Sequence, residues 1–182
     1  MVSPKNEFFT TEQVAGLLGL TRKDKWRVVK FAESREYGIQ PSVTAGSGPG
    51  SRRLYDIEDV CRIAVALRLL ETGLRPKVIG EIIGKLRTGK ERLSSRLTTK
   101  KEVPQSLYLA ISRQPRIGKP LKEERFQFVD LVERISEIED LLDEIEEHFG
   151  KRPDCDLLIV SLGRNFQEIS ENLRSIEKKS SG

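Results

Sequence analysis

Few residues in this chain have the types and spacing that reaction chemistry needs. One histidine, His148, and two cysteines, Cys61 and Cys155, are its whole stock of soft metal ligands. No Cys-x-x-Cys pair and no Cys/His cluster occurs. A zinc site or disulfide framework therefore has no basis, and a reducing cytosol is the simplest setting. Asp154 and Asp156 flank Cys155, and negative neighbours keep a thiol protonated. Cys61 follows the apolar Val60 on an expected buried helix and reads as a structural thiol. His148 stands near an expected helix C-terminus, where it suits the dipole. The stretch "GSGPG" from Gly46 lacks the Lys-Ser/Thr and following helix of a phosphate loop. No catalytic residue, metal or other cofactor is expected, and the chain does not read as an enzyme.

What remains is cation chemistry. Arg22, Lys23, Lys25, Arg27 and Lys30 crowd around Trp26, and Arg52, Arg53 and Tyr55 follow a glycine-rich stretch. The net charge of +4 hides an asymmetry. Residues 1–100 carry 19 Lys+Arg against 11 Asp+Glu, a net of +8. Residues 101–182 carry 13 against 17, a net of −4. The basic half is the candidate polyanion surface, because clustered cations neutralise phosphates.

The elements that must position these cations follow from capping and periodicity. "TTEQVAGLLGL" reads as a short helix with Thr10 and Gln13 at capping-box spacing and Gly19 as its stop. "LTRKDKWRVVKFAESREYG" reads as a second helix from Thr21, with Asp24 at its third position. Trp26, Val29 and Phe31 supply its apolar surface, so Trp26 is expected in the core. Two short helices across a tight turn make a helix-turn-helix. Strands over Ile39–Val43 and Arg52–Tyr55, around a glycine-rich tip, would form a basic hairpin that lies along a phosphate backbone. Asp56 and Asp59 start the next helix, with Val60, Ile63, Ala64, Leu67 and Leu70 at helical spacing, and Gly73 ends it. Pro76 opens another helix striped by Val78, Ile79, Ile82, Ile83 and Leu86.

Residues 89–105 are polar and basic and read as a linker. "SLYLAISRQP" and Leu157–Leu162 read as two short strands, and the last helix runs through Phe166, Ile169, Leu173 and Ile176. Between the strands, Phe128, Leu131, Ile135, Ile138, Leu142, Ile145 and Phe149 recur at steps of three and four. Those are heptad a and d positions, so a coiled-coil helix over 121–149 that pairs two copies is expected. The competing reading is an amphipathic helix packed within its own domain.

Residues 8 to about 88 resemble the MerR family of winged helix-turn-helix regulators. "FFTTEQVAGLLGLT" is similar to the family's opening helix and turn. "KWRVVKFAE" stands where the family has a Leu-Arg-Tyr-Tyr-Glu run. "RRLYDIEDV" resembles its wing Arg-x-Tyr and acidic helix start, and "LLETGLRPKVIGEII" its helix hairpin. The resemblance implies a cytoplasmic, nucleoid-associated homodimer that binds palindromic duplex DNA, with an antiparallel C-terminal coiled coil and RNA polymerase as a further partner. Arg27 matches the family's helix arginine, and Arg53 and Tyr55 match Arg-x-Tyr.

The expected architecture is mainly α. A winged helix-turn-helix domain at 8–88 and a linker at 89–105 precede a dimerisation or effector region at 106–179. The expected function is transcription regulation. The alternative is an architectural or assembly DNA-binding protein, for chromosome organisation or phage DNA packaging, whose C-terminal half binds another protein. "MVSPKNEFF" has no signal-peptide pattern, and no run of about 18 apolar residues exists to span a membrane.

Overall fold

A computed structural model describes residues 8–21, 23–45, 52–88, 92–98, 107–113, 126–132, 139–140, 143, 146 and 156–180. The fold is mainly helical, with two small antiparallel sheets. It divides into two compact units, one of residues 1–103 with 164–182, the other of residues 104–163.

The first unit opens with β1 (Phe9–Thr10), α1 (Thr11–Leu17) and α2 (Trp26–Glu33), then a 3-10 turn at Arg35–Tyr37. Strands β2 (Val43–Ala45) and β3 (Arg52–Tyr55) follow, then α3 (Ile57–Glu71), α4 (Pro76–Thr88) and the single turn α5 (Ser95–Thr98). Local chemistry sets the helix starts. The Thr10 hydroxyl accepts from the Gln13 N–H at 3.3 Å, and the Gln13 side chain accepts from the Thr10 N–H at 2.8 Å. Asp56 and Asp59 make the same reciprocal pair at the head of α3, at 2.8 and 3.3 Å. Each box satisfies donors that the first helical turn leaves without partners. Gly19 and Gly73 end α1 and α3 with φ of +61° and +83°, angles that cost glycine nothing sterically.

Helix α3 forms the centre of this unit. Val60, Cys61, Ile63, Ala64, Val65 and Ala66 are all buried, so it is enclosed on nearly every side. Helix α4 lays Ile79, Ile82 and Ile83 against it and against the 3-10 turn. A side chain at Gly80 would collide with the Glu36 carbonyl, so glycine permits that close approach. The sheet has the order β1-β3-β2, with Phe9 opposite Tyr55 and Thr44 opposite Arg53.

The C-terminal helix, Gly163–Ser180, belongs from Arg164 onward to this first unit. It was expected with the 106–179 region. Phe166 and Ile169 are fully buried, and Asn172 Nδ2 donates to the carbonyls of Gly16 and Leu17, each at 3.2 Å. The expected linker at 89–105 is also partly structured. Leu93 and Leu97 are buried, and the N–H groups of Leu93 and Ser94 donate to the Glu58 carboxylate at 3.1 and 2.9 Å.

The second unit holds β4 (Tyr108–Arg113), β5 (Phe126–Val132) and β6 (Asp156–Ser161), in the order β5-β4-β6. Both pairings are antiparallel, with Ile111 opposite Val129 on one side and Leu158 on the other. Leu109, Ala110 and Ile111 are buried, as a central strand requires. The expected strand at Leu157–Leu162 is present one residue earlier, and Tyr108–Arg113 falls within the expected "SLYLAISRQP".

The expected helix over 121–149 is corrected at its start. Phe126–Val132 is a strand, so Phe128 and Leu131 pair within a sheet rather than lying on a coiled-coil seam. Two phenylalanines and two valines in seven residues favour extended backbone, and β4 pairs with the segment throughout except at Gln127, where the register shifts. Glu139, Asp140, Asp143 and Glu146 are helical. Ile135, Ile138, Leu142, Ile145 and Phe149 lie outside the described residues, as do His148 and Cys155.

Candidate nucleic-acid interface

The basic segment lies on the approach to α2 and along it, although α2 starts later than the sequence predicts. Thr21 does not cap it; its hydroxyl donates to Asp24 Oδ2 at 2.6 Å instead, and the helix begins at Trp26. Lys23 and Lys25 therefore sit in the turn before the helix, Lys25 at the cap position without a side-chain cap bond. Arg22 lies outside the described residues. Arg27 and Lys30 are on α2 and exposed, and Arg27 Nε is 3.8 Å from Asp24 Oδ1. An exposed pair at that distance contributes little stability, so the guanidinium is available to another anion.

Helical spacing puts Trp26 about 200° from Val28, so the two cannot share a face of α2. Val28 and Phe31 take the buried face of α2. Trp26 is 54% exposed, which corrects its expected place in the core. The Arg27 guanidinium and the Lys30 ammonium stand 6.0 and 5.9 Å from the indole centroid, at the outer limit of a cation–π contact. Two cations on one exposed helical surface thus flank a ring that water reaches.

Behind that surface lies a groove of about 310 Å³. Helix α2 supplies Trp26, Arg27, Lys30 and Phe31 to one wall. Tyr37 and the end of α3, with Leu67, Leu70 and Glu71, form the other. Phe31 meets Tyr37 edge to face at 4.6 Å, which fixes the floor. Burial, with Glu36 beside it, pushes the Tyr37 hydroxyl pKa up, so this tyrosine stays neutral. Glu71 is held at the rim by Arg68, 2.6 Å away. Sequence reasoning missed this groove because it depends on the helical phase of Trp26. The one available signal was the ring of cations at positions 25, 27 and 30.

The hairpin is shorter than expected at its first strand. It begins at Val43, because Pro41 has no N–H to give a sheet, and Ile39 goes to the core instead. Arg52 and Arg53 lie on β3 as expected, and Arg53 is half-buried. Tyr55 is fully buried, so its side chain does not reach a phosphate, and its expected role as a contact is corrected to a core role. Arg53 shares the Tyr55 face of the strand, since alternate residues point the same way.

The hairpin is tied to α3 through Asp59, which is 2% exposed. Asp59 Oδ2 accepts from the Ser42 hydroxyl at 2.6 Å and the Ser42 N–H at 3.1 Å, while Arg62 Nη1 lies 3.1 Å from Oδ1. Burial raises the Asp59 pKa; the Asp56 carboxylate adds to the rise, and the Ser42 and Arg62 contacts oppose it. Cys61 is buried on the same helix, and burial with the nearby Glu58 pushes its thiol well up. It is a packing residue with no nucleophilic character.

Among the described residues no group of three His, Cys, Asp or Glu side chains could hold a metal ion. No described helix is long and apolar enough to cross a membrane. No protein-family model matches the chain, and no curated protein matches it.

Proposed function

We propose that this chain is a DNA-binding transcription regulator that reads duplex DNA through the turn and helix at 23–33. The observation that carries the reading is the exposed run of Lys23, Arg27 and Lys30 on and before α2. It is joined to a short hairpin whose strand β3 bears Arg52 and Arg53. Two helices across a turn, followed by a hairpin that pairs back to β1, support a winged helix-turn-helix reading. In that reading the start of α2 meets base edges in the major groove, and the hairpin arginines hold the phosphate backbone.

The protein acts as a homodimer in this proposal. The pairing rests on Ile135, Ile138, Leu142, Ile145 and Phe149, with Phe128 and Leu131 withdrawn from it by their place in β5.

Titration of the full-length chain with labelled duplex DNA over a range of salt tests the reading. Affinity should fall steeply, with a log–log slope of about −0.9 per phosphate contacted. Arg27→Ala should lose discrimination between specific and random duplexes by about 1–3 kcal/mol, if it makes a bidentate base contact. Arg53→Ala should weaken both alike, as a backbone contact does. Absence of binding at low salt, or affinity indifferent to salt, defeats the proposal. Genome-wide mapping of bound sites then separates a promoter-specific regulator from an architectural protein, which would occupy DNA broadly.

A further inference from the structure

We propose that the groove between α2 and α3 is a binding site for a small aromatic carboxylate. The ligand ring would lie against Trp26, Leu67 and Leu70, with its carboxylate between Arg27 and Lys30. The site itself stands apart from the DNA-binding reading, and only its effect on DNA rests on that reading.

Four features of the groove select this ligand class. The volume, about 310 Å³, suits a one- or two-ring compound. Its floor is apolar and aromatic, with Phe31 and Tyr37 held in place by their own edge-to-face contact. Trp26 presents more than half its surface to water, so a planar ring that covers it gains apolar burial without displacing a protein partner. The last feature is charge. Arg27 reaches Asp24 only at 3.8 Å, and among the described residues Lys30 has no carboxylate within ion-pair distance.

Alternative ligand classes fit less well. A cation has no free anion to meet, because Glu71 is already bound to Arg68 at 2.6 Å. The second charge of a dianion would face Asp24, which stands beside Arg27. A neutral ring would use the floor and leave both cations unanswered. A single carboxylate on an aromatic ring uses all four features.

The cations proposed to hold the ligand are two that would meet DNA. An aromatic acid in the groove and a duplex on α2 would then compete for Arg27 and Lys30, which would make the groove an effector site.

Trp26 is the only tryptophan in the chain, so its fluorescence reports on this groove alone. The test titrates the full-length protein with benzoate, and with benzamide and acetate as the neutral and ringless counterparts. Benzoate should give a saturable change in Trp26 emission, with the other two weaker by about tenfold or more. Lys30→Gln should weaken benzoate by about tenfold with its helical circular-dichroism signal intact. If that variant loses helix signal, Arg27→Gln makes the same measurement. A linear, non-saturable response to benzoate overturns the proposal. So does equal affinity for benzamide, or unchanged affinity in a folded Lys30→Gln. A duplex that shifts Trp26 emission in a protein indifferent to benzoate overturns the ligand site and leaves the DNA reading standing. Benzoate binding in a protein that ignores duplex DNA does the reverse.

Discussion

Asn172 closes the end of a helix that lies 155 residues before it, donating from Nδ2 to the Leu17 carbonyl at 3.2 Å. The same amide group reaches the Gly16 carbonyl, which also accepts from the Gly19 N–H at 3.1 Å, so the end of α1 gains two bonds from the far end of the chain. Phe166 and Ile169 bury themselves in the same unit. The N-terminal unit is therefore incomplete without residues 164–180.

A fragment that stops near residue 88 or 103 should consequently be much less stable than the N-terminal unit of the whole chain. Phe166→Ala in the full chain should cost about 3–5 kcal/mol, the usual range for a buried phenylalanine. Asn172→Ala should cost about 1 kcal/mol, since its bonds are partly solvated. Urea unfolding of both variants and of the truncated chain measures this. A fragment of residues 1–88 that unfolds at the wild-type midpoint would show the C-terminal helix to be a passenger.

Glu58 holds the segment that starts at Leu93. Its two carboxylate oxygens accept the Leu93 and Ser94 N–H groups at 3.1 and 2.9 Å, and Arg62 stands 3.6 Å away. Glu58→Gln replaces one acceptor with a donor that faces an N–H, at a cost of about 1–3 kcal/mol. Amide hydrogen exchange at Leu93 and Ser94 should accelerate with that change, while exchange within α3 responds less. Equal protection in both proteins would mean that the burial of Leu93 and Leu97 alone fixes the segment.

Asp59 should titrate above the usual aspartate range. Burial disfavours its charged form, with Asp56 adding to the effect, and the Ser42 and Arg62 contacts only partly offset it. The folded protein thus holds this proton more tightly than the unfolded chain does. Its contribution is fully present below the unfolded-state pKa and is lost as pH rises through the folded one. Carboxyl NMR should place the midpoint above that of a free aspartate, and Arg62→Gln should raise it further. The wild-type stability curve should fall relative to that of Asp59→Asn across this window. A midpoint at or below the ordinary value would show that the hydrogen bonds outweigh burial.

Self-association depends on residues beyond β5 in the function proposed above. Ile138→Asp places a charge in the proposed pairing seam and should shift the protein toward monomer. Light scattering of both proteins at the same concentration measures it. A wild-type monomer, unaltered by the substitution, removes the dimer from the proposal.

The parts of the fold that could be read from sequence are those decided within one helical turn. The Thr10–Gln13 and Asp56–Asp59 boxes each join residues three apart, and both form. The isoleucine stripe of α4 needs only its own period. Phe128 and Leu131 misled because steps of three and four fit a heptad as well as they fit chance. What decided between helix and strand was β4, whose partner residues are distant in sequence. Trp26 misled for a related reason: Trp26 with Val29 and Val28 with Phe31 make two alternative apolar faces at i, i+3 spacing, and tertiary packing buried the second. Glu58 and Asn172 act across 35 and 155 residues, a range at which spacing carries no signal.

The docking of the C-terminal helix sets an order of events during synthesis. Domains near the N-terminus usually fold as they emerge, at about 5–20 residues per second of elongation. Here Val14, Ala15 and Leu17 are made early, yet Asn172 and Phe166 arrive only after the whole β4–β6 unit has been translated. For roughly ten seconds the nascent chain carries α1 without the Asn172 amide, and its unit without the buried Phe166. A chaperone that covers exposed apolar surface near the ribosome has its natural target in that interval, and slow codons between residues 104 and 163 would lengthen it.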